Sequence, residues 1–411
     1  MRSARAACAL MALLLLGALP ARAQVPELPP EDRDSTPEAF PEIDPWTGGE
    51  AEARGRLGYL GHGPFALAGP STTLEIEQVL GGVPILWVET EHFQLASTLK
   101  TYRIPGDKRE NDKLEAELEL LGERMGRFKP PRNELDPWLR LHLYAQRLEQ
   151  LYADFGETFG VTQADFGPEA VGMGAGPYLG QDQKFLVLLL QKSSSLGRYT
   201  RRFTGQEQRF AYRFGFTEGG YVFAVAAEAL LEAGLELDAS LHCYVAFSVV
   251  TNFCDAYRKS WGRVPAWFKY GLAHRASRGV DPRWALYEGA EVLNDLRADA
   301  WRWQPRVRGL VVNEVYGPWS EMLAWKDWSE MNQRAHMMAW SCVDWLLERD
   351  DAEPGAFLMA VSDPLPEGML ELDPEVALER QRAGLRAAFG AEVAELDQAW
   401  RKHVRRRYER K

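Results

Sequence analysis

"SLHCYVAFSVVTNF" (240–253) and "RVPAWFKYGLAHRASRG" (263–279) are the two stretches on which the fold turns. Both read as helices. Asp238 stands where it can cap the first, and Pro265 takes a favoured first-turn position in the second. His242 and Ala246 are four residues apart, the spacing that puts two side chains on one helix face. Whether that face is a metal site, its remnant or ordinary core depends on the chain around it.

Upstream, "VPILWVETEHFQLAST" (83–98) alternates β-branched and aromatic residues as a strand does, and "KFLVLLLQ" (184–191) reads as a buried strand. "GGYVFAVAAEA" (219–229) reads as a further strand or the start of a short helix. Leu114, Leu118, Leu121, Met125 and Phe128 recur at the 4-3-4-3 spacing of an apolar helix stripe. "KPPRNELDP" stops that helix, and Leu141, Leu148 and Phe155 mark the next, which predicts an α-hairpin. The last third is helical, with Met338, Cys342, Val343, Leu346 and Leu347 on one face. Strands early and helices late imply an α+β chain. "PEAVGMGAGPYLGQDQ" (168–183) is rich in glycine but lacks the Lys-Ser/Thr of a phosphate loop, and it reads as a flexible loop.

Arg2 and Arg5, the apolar run "ACALMALLLLGALP" and Ala21-Arg22-Ala23 have the order of a cleavable secretory signal, residues 1–23. The expected location is therefore outside the cytoplasm, periplasmic or extracellular. Residues 24–80, rich in Pro, Gly, Asp and Glu, are expected to form a poorly ordered leader. Residues 81–411 form the folded domain, in parts 81–205 and 206–411. No stretch reaches the roughly 20 apolar residues of a membrane-spanning helix. The net charge of −11, more negative by three once Arg2, Arg5 and Arg22 leave, argues against nucleic acid as partner. The basic tail "RKHVRRRYERK" suits the negative end of a helix. Cys243, Cys254 and Cys342 read as buried free thiols, because Cys243 and Cys254 would stand about 16 Å apart along one helix. Eight of the 14 tryptophans fall within residues 284–345. They read as core, with a surface platform for sugar or peptide as the alternative.

Zinc peptidases of the H-E-x-x-H type carry two imidazoles at i and i+4 and a glutamate base between them. The order of parts here resembles their gluzincin group. "TEHFQL" comes early, then "LYADFGETFG", "LHCYVAF", "VPAWFKYGLA" and helical segments ending in "AAFGAEVAELDQAW". The resemblance is to gluzincin-like secreted bacterial proteins of unknown function, with motifs such as HELAH and PxWLxEGLA. It spans about residues 83–405. It implies a gluzincin-like metallopeptidase fold, a small mixed sheet followed by a mainly helical C-terminal half. Position by position, His242 matches the first histidine, while Cys243 replaces the base, Ala246 the second histidine and Tyr270 the glutamate ligand. Trp267, Gly271, Leu272 and Ala273 fit the scaffold pattern.

The resemblance thus implies a degenerate motif with no catalytic residue and no cofactor, zinc entering only if His242, Cys243 and His274 rebuild a site. The expected function is non-catalytic binding of a peptide, a protein or a cell-wall glycan in a cleft formed by His242, Tyr270, His274 and Trp267. The alternative is a hydrolase with a rebuilt or unrecognised site around His242, using Cys243 or a carboxylate such as Glu228. On this reading, Cys243→Glu, Ala246→His and Tyr270→Glu together would restore zinc affinity.

Overall fold

The apolar runs of the first half pair into one five-stranded sheet. Its strands are β1 (Leu86–Glu89), β2 (Phe93–Ser97), β3 (Phe185–Leu190), β4 (Ala211–Phe216) and β5 (Gly220–Ala226). Their order is β1-β2-β3-β5-β4. β2, β3 and β5 run parallel, and the edge strands β1 and β4 pair antiparallel with their neighbours. The computed structural model describes residues 40–67, 71–126, 128–129, 131–167, 174–216, 220–260, 262–284, 301–363 and 372–409. The expected signal, the leader up to residue 39 and part of the glycine-rich loop lie outside these. The architecture is α+β with a small mixed sheet, and its sheet draws strands from both sides of residue 205.

Every residue of β3 and β5 is buried, as the uninterrupted apolar runs of a sheet covered on both faces require. Phe185, Val187 and Leu189 enter the large core, while Leu186, Leu188 and Leu190 enter a smaller one on the opposite face. The stretch 83–98, expected as one strand, is a hairpin. The Thr90 amide donates to the Phe93 carbonyl (2.9 Å) and folds β1 back onto β2.

The leader reading is corrected from residue 40 onward. Helices α1 (Ala51–Arg56) and α2 (Thr73–Val79, with a capping box at Thr72) lie within it. Leu57, Tyr59, Ile76 and Leu80 are core residues. Tyr59 lies 2.6 Å from His142 Nδ1, and Asp44 lies 3.1 Å from Nε2 of the same ring. Proline and acid content indicated disorder, but these few scattered apolar and polar anchors tie the segment to its neighbours.

The α-hairpin is α3 (Lys108–Met125) and α4 (Pro137–Phe159), started by Asp107 and Asp136, whose side chains accept from Glu110 and Leu139 amides. Leu114, Leu118, Leu121, Met125, Leu141, Leu148 and Phe155 are all buried. After α5 (Ser193–Thr204) and α6 (Ala227–Glu232) come α7 (Asp238–Ala256), buried throughout, and α8 (Ala266–Val280). The C-terminal helices are α9 (Trp303–Val312), α10 (Trp319–Met322), α11 (Gln333–Leu347), α12 (Pro354–Ser362), α13 (Pro374–Phe389) and α14 (Val393–Arg407).

Asp238 does not cap α7. Leu237 holds the cap position, and the Asp238 carboxylate accepts from Arg140 (3.2 Å), Tyr144 (3.1 Å) and Arg147 (2.7 Å) instead. Cys243, Cys254 and Cys342 are free and buried. Trp303, Trp319, Trp340 and Trp345 are core residues, so the helical third supplies no platform from them. No helix among the described residues is long and apolar enough to cross a membrane.

Candidate functional site

His242, Ala246 and Val250 recur at i, i+4 and i+8 on α7 and form the floor of a cleft of about 390 Å³. The expectation that His242 and Ala246 share a face is met. Across the cleft, α8 contributes Leu272, Arg275, Ala276 and Gly279. The hairpin closes the other side with Lys113, Glu117 and Leu120 of α3 and with Gln146, Arg147, Leu151 and Phe155 of α4.

A charge network underlies this cleft. Glu117 accepts from Lys113 Nζ (2.6 Å) and from Arg147 (2.7 Å), and Arg147 continues to Asp238 (2.7 Å). Burial alone would raise the Glu117 pKa, but the cations of Arg147 and Lys113 bring it below the ordinary value, so it is ionised. His242 is 8% exposed. Its Nδ1 is buried 3.7 Å from Glu117 Oε1, beyond hydrogen-bond length, and the ring makes no hydrogen bond to a described residue. Burial first, then the nearby Arg147 and Lys113 charges, hold its pKa well below the ordinary value. The imidazole is neutral at neutral pH.

The other expected site residues lie elsewhere. Tyr270 stacks on Phe247 (centroids 6.1 Å) and stands edge-on to His336. His274 is fully buried, its Nε2 lying 3.0 Å from His336 Nδ1. Trp267 donates its indole N–H to Gln381 (2.9 Å). At 100° per residue, positions 267, 270 and 274 point about half a turn away from 272, 275, 276 and 279. The expected cleft of four residues is therefore corrected. His242 alone lines it, and Tyr270, His274 and Trp267 belong to the core between α8 and the C-terminal helices.

Cys243 is turned from His242 as well. Its thiol lies 3.3 Å from the Ser277 carbonyl oxygen and 3.5 Å from that of Asp281. Burial, helped by the Asp281 charge, pushes its pKa up to about 12. It is a protonated structural thiol, so the pairing of Cys243 with His242 is not formed. Glu228 binds Lys192 (2.8 Å) and the Ser193 amide (3.0 Å), outside the cleft lining.

Zinc in a catalytic site takes three protein ligands and keeps one open position. Here the cleft offers one imidazole, a glutamate already bridged to two cations and the carboxylate of Asp154. No group of three His, Cys, Asp or Glu side chains among the described residues has the arrangement to hold a metal. The residues present do not fit a zinc ion.

Sequence reasoning missed Glu117, Arg147 and Asp238. The available signal was Arg140 and Arg147, one heptad apart within a helix otherwise apolar enough to be buried, which demands acidic partners. Comparison with protein-family models, curated proteins and solved structures finds no match to this chain.

Proposed function

We propose that this chain is an exported, non-catalytic binding protein on a gluzincin-like scaffold, and that the cleft over His242 holds its ligand, a peptide or partner-protein segment. The observation that carries the reading is the single neutral imidazole, without a hydrogen-bond partner among described residues, set in the floor of a half-open cleft. The ring makes no hydrogen bond to a described residue, and a bound ligand supplies one at Nε2, the nitrogen that is not shut off by burial. Among the described residues, no nucleophile with an adjacent base faces that ring. The scaffold part of the reading rests on the motif resemblance in the sequence, and export on the signal-like first 23 residues.

The test is binding with the cleft open and filled. Ala246→Trp places an indole over the floor, and a peptide array probed with the purified protein should lose its signals in that variant. Loss of no signal would overturn the reading. Casein and short peptides should remain uncleaved by the wild-type protein, and dialysed protein should carry no stoichiometric zinc. Turnover or tightly held zinc would also overturn it.

A further inference from the structure

The cations around the cleft each have a carboxylate partner. Lys113, Glu117, Arg147 and Asp238 form one continuous chain of ion pairs. Arg275, on the opposite wall, is held by Asp344 at 3.1 Å. An anionic ligand group would compete with the carboxylates already paired to Lys113, Arg147 and Arg275. Among the described residues Asp154 accepts from the Gln150 amide (2.7 Å) and pairs with no cation, so it repels an approaching anion.

What remains open is largely apolar, with polar points at His242, Gln146 and Thr158. Leu151, Phe155, Ala246, Val250, Leu272 and Ala276 make the wall. Glu117, which only accepts, is the carboxylate nearest Nδ1 of His242, at 3.7 Å, and the acceptor role assigned to Nε2 takes the ring proton to be on that side. Nδ1 is shut off from the open space, so Nε2, carrying the lone pair, is the nitrogen left for a ligand.

We infer that the cleft takes an uncharged, predominantly apolar group that donates one N–H or O–H hydrogen bond to Nε2 of His242. This rests on the binding reading above and narrows it. The recognised part of a peptide would then be an aliphatic or aromatic side chain with an adjacent backbone amide. Anionic side chains are disfavoured, because Glu117 and Asp154 both line the cleft.

The test uses N-phenyl-1-naphthylamine, an uncharged apolar fluorophore with a single N–H, against 1-anilinonaphthalene-8-sulfonate, its anionic counterpart. Saturable fluorescence enhancement with the first is expected on the full chain, at least tenfold tighter than with the second. His242→Phe keeps the ring and removes the acceptor, and should weaken the neutral probe about tenfold. Ala246→Trp should abolish its binding, and Leu272→Trp on the α8 wall serves if Ala246→Trp does not fold. Equal affinity for both probes, no binding of the neutral probe, or binding unaffected by a folded cleft-filling variant would overturn the inference. If charged peptides bind and Ala246→Trp abolishes them while the neutral probe is ignored, the binding reading stands and only this narrowing falls. If no peptide and neither probe responds to filling the cleft, both fall.

Discussion

At Cys243 the side chain faces two carbonyl oxygens, of Ser277 and Asp281, and a thiol suits that place because it can donate. A carboxylate there would meet two acceptors and no donor. Cys243→Glu is therefore expected to lower stability by about 3 kcal/mol or more, as burying an unpaired charge does, measured by urea unfolding at pH 7. Tyr270 is 2% exposed against Phe247 and His336, so Tyr270→Glu carries a similar penalty. This reverses the expectation for the restored motif. Cys243→Glu, Ala246→His and Tyr270→Glu together add two carboxylates that point away from His242. Isothermal titration of zinc into whatever folded fraction forms should show no binding. The i, i+4 face of α7 was legible because helix periodicity alone determines it. The partner face of α8 was not, since a motif match aligns residues in sequence without giving the rotation of one helix against another.

Helix packing supplies that rotation, and Gly271 is where it is decided. A Cβ at this position would meet the Ala339 carbonyl oxygen at 2.5 Å and Val343 Cγ2 at 2.6 Å, so α8 and α11 are in contact at their backbones. That contact turns Tyr270 and His274 toward α11 and leaves Leu272 and Ala276 for the cleft. Gly271→Ala should separate the two helices and cost at least the 1–3 kcal/mol typical of overpacking, read as a lower thermal midpoint. In contrast, α3 and α4 were legible from their stripes, since their apolar residues face one core at regular spacing. Residues 40–80 were not, because a segment held by Tyr59, Asp44 and a few apolar anchors has no period to read. Asp44 would be raised by burial, but its bonds to His142 and Thr47 bring its pKa down to about 2. Its contribution is present above the unfolded value near 3.8 and lost as pH falls toward 2. Asp44→Asn should therefore release this segment locally at neutral pH, seen as faster amide exchange over residues 40–60 with α7 and α8 still protected.

Over the whole molecule, the apolar density that makes the core also holds the imidazoles of His242, His274 and His336 neutral. Burial lowers the pKa of His242 and His274 well below the ordinary value, with added repulsion from Arg147 and Lys113 for His242 and from His336 and Arg278 for His274. Burial alone brings His336 down to about 4. Above pH 6.5 these rings are neutral in both folded and unfolded chains, so stability is flat there on their account. Between about 4 and 6.5 the unfolded chain binds protons that the folded chain does not, so stability falls as pH falls. At about 1.4 kcal/mol for each pKa unit, His336 alone accounts for about 3 kcal/mol across that window. Glu110, whose pKa burial raises, acts in the opposite sense just above 4.5 and offsets part of the loss. Urea midpoints should therefore drop steadily between about pH 6.5 and pH 5. His336→Gln, which cannot titrate, should flatten that slope even if its midpoint at pH 7 is lower. A wild-type midpoint constant over this range, or a slope unchanged in His336→Gln, would show that the buried rings do not carry the pH response.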